Sequence, residues 1–416
     1  MSAIRGPRNA QRIAVVGGSL GGLRAAEGLR RSGFEGPITV YGAERWRPYN
    51  RPPLSKAMLS HEDRPRGDAM IEQLAYRPRG VDDVDFRLGV TVSAADLGAG
   101  TLTWEDGERS GTDEYAGLVI ATGLRSRVLA VPGPSAGRHR LRTIDDCVAL
   151  RASLEPGTRV VVIGSGFIGT EVACTLQSMG HQVSVVEPAG PPMMRAIGPE
   201  LGAAVQRHLE AAGIEFVIGP GLTAYGGGER VTEVRLDDGT RLPADVVLES
   251  VGSVCNVEWL ADNGLDLSDG VLTDNDLSVL GAPHVVAVGD IARFPNPLFD
   301  DVPRRVEHWS MPTDTGKRAA VTLADLLLGR DPEPEPFTPV PSFWSDQLDL
   351  RFQSFGAPGL GEEVRIDGDL ADLTSGVVAT YYREHEGRTQ HVGTVALNVP
   401  GARQRELRTA FTTPQR

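Results

Sequence analysis

Cysteine and lysine are the scarce residues of this chain. Only three cysteines, Cys147, Cys174 and Cys255, occur in 416 residues, far apart and with no C-x-x-C pair. Thiol–disulfide exchange needs two paired thiols, so that chemistry is excluded. No His, Cys and carboxylate cluster has metal-ligand spacing, and no metal site is expected. No apolar run is long enough to span a bilayer. Arg5, Arg8 and Arg12 precede an apolar stretch too short for a signal peptide, so a cytoplasmic protein is expected. Positive charge is also in deficit. The net charge of −13 argues against a nucleic-acid partner and against membrane adhesion. Lysine occurs only as Lys56 and Lys317 among 42 basic residues. A lysine that persists among so many arginines is a candidate compact point charge.

Glycine, by contrast, is abundant, with 50 residues, and its placement is informative. The stretch RVVVIGSGFIGTEVACTLQSMGHQVSVVE, from Arg159 to Glu187, reads strand, glycine turn, helix, strand, acid. That order is the context a dinucleotide fingerprint requires. Gly164 permits the tight turn, Gly166 lets a pyrophosphate approach the backbone, and Gly169 lets helix pack on strand. Phe167 and Ile168 open the helix, whose N-terminal N–H groups suit an anion. Glu187 is placed to accept ribose hydrogen bonds and to repel a 2′-phosphate, which favours NAD over NADP.

The pattern occurs twice. Near the N-terminus, RIAVVGGSLGGLRAAEGLRRSGFEGPITVYGAE places Gly17, Ser19 and Gly22 at the three fingerprint positions, with Leu20 and Gly21 between, and ends at Glu44. Ser19 departs from the pattern at the position nearest a pyrophosphate. Two fingerprints imply two dinucleotides, and a flavin with a nicotinamide is the natural pair.

The intervening segments supply candidates in order. Tyr49 to Lys56, which includes Arg51, is a proline-stiffened turn before a short helix, and as a rigid basic segment it suits flavin phosphates and ring. Residues 84 to 119 and 214 to 249 each alternate around turns, which predicts small antiparallel strands. Each ends in a buried strand, the first running into Ala121, Thr122 and Gly123, the second leading to Gly252. Gly289 and Asp290 follow another strand, where an acid suits a ribityl hydroxyl. Residues 304 to 328 contain Glu307, His308 and Trp309, then a helix led by Lys317 and Arg318. The fold class predicted is α/β, with two Rossmann-like domains and a small C-terminal α+β domain. The boundaries expected are 1–118 with 250–330 for a discontinuous FAD domain, 119–249 for an NAD domain, and 331–416 for the third.

The stretches VVGGSLGGLRAAEGLR, RPYNRPPLSK, IATG, LRTIDD, VVIGSGFIGTEVA, AVGDIARF, VEHWS and FWSDQ together carry a resemblance. The chain resembles the NADH-dependent ferredoxin reductases that serve oxygenases, over nearly its whole length. The resemblance implies the glutathione-reductase fold without a redox disulfide, FAD as cofactor, and NADH as donor. It implies that Lys56 lies near the flavin ring and that Val92 and Arg142 contact FAD. It implies that Asp290 binds the ribityl chain, that Trp309 stands beside the ring, and that Glu171 lies near the nicotinamide amide. It implies a [2Fe–2S] ferredoxin as partner, docking by Lys317, Arg318 and Trp344. Arg304 and Arg305 are further candidate cations, with Arg64, Arg66, Arg77 and Arg79 as a second group. Departures are Ser19, Ala43 where an aspartate is usual, Cys255 where a proline is usual, and Met311-Pro312, which is expected to break the start of the following helix.

The expected reaction is hydride transfer from NADH to flavin, then single-electron transfer to the ferredoxin, with Lys56, Glu171 and Trp309 as the catalytic candidates. The cofactor carries the chemistry and needs no side-chain acid or base. The alternatives are an NADH oxidase or peroxidase, a rubredoxin reductase, and an NADH sensor of the apoptosis-inducing-factor kind.

Overall fold

The computed structural model describes residues 12–60, 68–331 and 334–411. It divides into two compact units, one of residues 1–50, 73–125 and 255–341, the other of residues 51–72, 126–254 and 342–416.

The first unit is built on a parallel sheet of five strands. Their order is Val285–Ala287, Gly117–Ile120, Ile13–Val16, Ile38–Gly42, Asp85–Leu88. The chain leaves the central strand in one direction and later returns on its other side, so the switch point lies between Ile13–Val16 and Gly117–Ile120. All of these strands except Asp85–Leu88 are buried throughout, as strands covered on both faces must be. Helix Leu20–Arg31 packs against helix Met311–Leu328 at small residues: a Cβ on Gly28 would sit 2.5 Å from that of Ala320, and one on Gly316 would sit 2.9 Å from that of Arg24.

The second unit repeats this plan. Its parallel sheet runs Glu215–Ile218, Gln182–Glu187, Arg159–Ile163, Val246–Glu249, Arg138–His139. Helix Phe167–Ser178 follows the central strand. Helix Ile144–Ala152 precedes it and starts on a capping box of Thr143 and Asp146. Helix Met194–Ala211 bends at Gly198, where φ is 75°, followed by Pro199. Residues 342–397 add an antiparallel five-stranded sheet in the order Ser342–Gln347, Leu350–Gly356, Arg388–Leu397, Val377–His385, Glu363–Asp367, and the polar helix Gly401–Thr409 follows. The segment expected as a separate third domain thus clusters with the second unit from residue 342 onward.

Three local expectations are corrected. The alternating stretches are not wholly antiparallel. Asp85–Leu88 and Glu215–Ile218 pair parallel as sheet edges, and only the strands after them form antiparallel three-stranded sheets. Both strands lie at a sheet edge and are only partly buried, so they lack the fully buried character that marks a parallel strand. Met311-Pro312 starts its helix instead of breaking it, because Pro312 falls in the first turn, where no N–H partner is lost. For the same reason Lys317 and Arg318 sit inside that helix and do not lead it.

Candidate functional site

The two glycine turns are superposable in their bonding. Gly17 N donates to Tyr41 O (2.8 Å) and Gly164 N to Val186 O (2.9 Å). Ala121 N donates to Val16 O and Ser250 N to Ile163 O, both at 2.8 Å. Gly17 has φ 126° and Gly164 φ 97°, a region that excludes most side chains. A Cβ on Gly17 would lie 2.0 Å from Ala121 O, and one on Gly164 would lie 2.3 Å from Ser250 O. The third fingerprint glycines press on the first: a Cβ on Gly22 or Gly169 would lie 1.9 or 2.2 Å from the carbonyl of Gly17 or Gly164. Leu20 and Gly21, with Phe167 and Ile168, form the first turn of each helix.

The middle positions behave differently. Ser19 and Gly166 are the helix N-caps, both with extended backbone, and their carbonyls accept from Leu23 N and Thr170 N at 3.0 Å each. Neither conformation requires glycine, so Ser19 is accommodated without strain. Gly166 is exposed, and a Cβ there would meet nothing within 4 Å. The protein's own packing therefore gives no reason for glycine at 166; close approach of a ligand does.

At the strand ends of the first unit, Thr122 Oγ1 donates to Asn256 O (2.8 Å), and the Asn256 amide donates to Thr122 O (2.9 Å). Asn256 N also reaches Gly123 O (3.1 Å). This asparagine fastens the Ala121–Gly123 turn, a role that no local pattern signals. Gly289 N donates to the buried Thr315 hydroxyl (2.9 Å), which fixes the backbone next to Asp290. Glu44 accepts from the Tyr49 phenol (2.7 Å). Val92 is buried in the core of this unit. Trp309 is 40% exposed, Glu307 pairs with Arg305 at 2.9 Å, and burial pushes the His308 imidazole down to about 4.

In the second unit, Glu187 Oε2 accepts from Ser165 N (3.0 Å) and Ser165 Oγ (3.1 Å), and Oε1 accepts from Ala189 N (3.0 Å). The acid is thereby locked to its own glycine turn. Gly252 has φ 88° with open space beside it. Arg51 Nη1 donates to Arg142 O (2.8 Å), joining two expected cofactor residues.

Lys56 and Glu171, two of the expected catalytic residues, are also brought together. Lys56 Nζ lies 2.6 Å from Glu171 Oε2, and their side chains are 19% and 7% exposed. Ser55 Oγ donates to the same oxygen (2.5 Å), and Thr175 Oγ1 donates to Ser55 O (2.8 Å). Phe167, Glu171 and Thr175 are spaced i, i+4, i+8, so they form one helix stripe.

The expected docking cations divide. Lys317, Arg77 and Arg79 are exposed, and Trp344 is 37% exposed. Arg318 pairs with Asp276, Arg304 with Asp300, and Arg305 with Asp269 and Glu307, so each of these charges is neutralised locally. Arg64 and Arg66 lie outside the described residues. Burial raises the Cys147 thiol to about 11 and the Cys174 thiol to about 12, and burial raises Cys255 too, so none is a ready thiolate. Among the described residues no cluster could hold a metal ion, and no helix is long and apolar enough to cross a membrane.

Comparison with known proteins gives the same reading. The pyridine nucleotide-disulphide oxidoreductase family model matches residues 11–316. The chain belongs to this family. It is 34% identical over 395 residues to the ferredoxin reductase component of chlorobenzene dioxygenase from a Cupriavidus species, covering 94% of this chain and 90% of that one. It is also 34% identical, over 367 residues, to the ferredoxin–NAD(+) reductase component of the anthranilate 1,2-dioxygenase system of Burkholderia cepacia, covering 87% and 86%. Among solved structures, the reductase in the covalent putidaredoxin reductase–putidaredoxin complex matches with TM-score 0.85 and 29% identity, over 97% of this chain and 94% of that one. The chain is an oxidoreductase of the ferredoxin reductase type, with FAD and NADH as its cofactors. The residues fit two dinucleotides: two helix N-termini at two switch points, an open Gly166, and an acid after each second strand.

Proposed function

We propose that this protein passes electrons from NADH through FAD to a small [2Fe–2S] ferredoxin that feeds a Rieske oxygenase or a haem-thiolate mono-oxygenase, and that it works in the cytoplasm. The first unit holds FAD and the second holds NADH. The observation that carries this reading is the pair of like-bonded glycine turns on two separate parallel sheets. Relatives named as ferredoxin reductase components of dioxygenase systems, and a solved relative joined to putidaredoxin, support the acceptor class. Three free cysteines suit a reducing compartment.

FAD, when bound, supplies a ring able to take a hydride and to release electrons singly. The chain's residues bind and orient. The amide groups that open helices Leu20–Arg31 and Phe167–Ser178 receive the two pyrophosphates. Glu187 accepts from the adenosine ribose and disfavours a 2′-phosphate. Asp290 accepts from the ribityl chain, and the exposed Trp309 stands beside the flavin ring. Glu171 accepts from the nicotinamide carboxamide, and the Lys56 ammonium pairs with its other oxygen. Raised thiols speak against the peroxidase alternative, which commonly uses a reactive cysteine.

The test is NADH-driven cytochrome c reduction with and without a [2Fe–2S] ferredoxin, beside an NADPH control. The expected result is a rate multiplied by ferredoxin and a preference for NADH. Fast oxygen uptake with no ferredoxin effect would overturn it.

A further inference from the structure

The strand that opens the C-terminal sheet reaches the Glu171 carboxylate of the second unit. Ser345 Oγ donates to Glu171 Oε1 at 2.6 Å, and Gln347 Nε2 donates to Ser345 Oγ at 3.2 Å and approaches Met193 Sδ at 3.2 Å. Ser345 and Gln347 are two apart in a strand, so they share a face, and they are 1% and 0% exposed. Phe343, two residues earlier, meets Phe167 edge-on with ring centroids 4.6 Å apart. A strand face of period two thus lies along the Phe167–Glu171 stripe of the fingerprint helix.

An ionised carboxylate has about four acceptor positions. Oε2 of Glu171 receives Lys56 and Ser55, and Oε1 receives Ser345. Among the described residues nothing fills one remaining position, on Oε1. Among the described residues the Gln347 amide carbonyl is buried with no hydrogen-bond partner. Such a group is costly to bury, and an apolar residue at 347 would avoid the cost. Buried groups left in this state call for a reason other than stability.

We infer that Ser345 and Gln347 are positioning residues for the nicotinamide: they orient Glu171 so that its remaining acceptor position, on Oε1, is presented to the carboxamide N–H. Gln347 donates a hydrogen bond to Ser345 Oγ, which commits the Ser345 hydroxyl to donate toward Glu171. The C-terminal segment therefore contributes to dinucleotide binding as well as to any partner surface. This inference rests on the reading of the second unit as the NADH site.

The test compares Ser345→Ala, Ser345→Thr and Gln347→Leu in the full, flavin-loaded chain. Three readouts apply: NAD+ affinity by calorimetry, melting temperature, and the anaerobic rate of flavin reduction by NADH. Ser345→Ala should weaken NAD+ by about tenfold, the loss of one hydrogen bond to a charged group, and slow flavin reduction at limiting NADH. Ser345→Thr should restore both. Gln347→Leu should weaken NAD+ by about fivefold with an unchanged or raised melting temperature, a split that a merely structural role does not give. If Ser345→Ala and Gln347→Leu bind NAD+ within about twofold of the parent, the inference is overturned while the proposed function stands. If the parent itself is not reduced by NADH, the proposed function fails and the inference fails with it.

Discussion

The two glycine turns share their backbone hydrogen bonds and differ most in how the acid beside them is built. Val16 pairs with Tyr41 and Ile163 with Val186, so Gly42 in the first unit stands where Glu187 stands in the second. Gly18 likewise stands where Ser165 stands. In the first unit these positions are two glycines in backbone contact: a Cβ on Gly18 would lie 2.9 Å from Gly42 Cα. In the second they are a serine and a glutamate joined by two hydrogen bonds. The acid of the first unit is displaced two residues, to Glu44, and is held by Tyr49 instead. One topology thus carries two differently built acids, as expected if each turn serves its own dinucleotide.

The largest effect that could break this comparison comes from the first glycines. Gly17→Val should yield protein without flavin, and Gly164→Val should keep flavin but raise the KM for NADH by about a hundredfold or more, since each collides with a carbonyl. Flavin content by absorbance and steady-state kinetics check this; flavin lost from Gly164→Val and kept by Gly17→Val would reverse the assignment. Next comes the buried ion pair. Lys56→Met leaves Glu171 uncompensated and should destabilise the protein by about 3 kcal/mol, while Lys56→Met with Glu171→Leu should recover most of that. Denaturant unfolding measures both.

A pH difference sharpens the contrast in the first unit. The folded His308 imidazole titrates near 4, below its ordinary 6.5. The unfolded chain therefore binds the extra proton first. Stability is full above pH 6.5, falls as pH drops from 6.5 to about 4, and then levels, with a loss of about 3 kcal/mol at most. His308→Asn should flatten that slope; an unchanged slope would assign it elsewhere. The smallest effect separates the two acids. Glu187→Ser should shift the NADH-to-NADPH preference by about tenfold, whereas Glu44→Ser should leave that preference alone and loosen flavin only.

Much of this was legible in the sequence because it is local. A glycine turn, the strand before it and the acid after it lie within about 30 residues. The turns at Ala121–Gly123 and Gly289–Asp290 were legible as ends of buried strands. The Ser345–Glu171 bond was not, because it joins residues 174 apart and a serine in a strand carries no distinguishing pattern. Asn256 was missed for the same reason, since its partners lie 134 residues away. Edge strands misled because they lack the full burial that marks a parallel strand, and Pro312 misled because its effect depends on where the helix begins.

The most direct test of the account is a stoichiometry. Purified protein should release one FAD per chain and, with that FAD in place, bind one NAD+ per chain. Two flavins per chain, or a flavin displaced by NAD+, would contradict the claim that the two turns serve different dinucleotides.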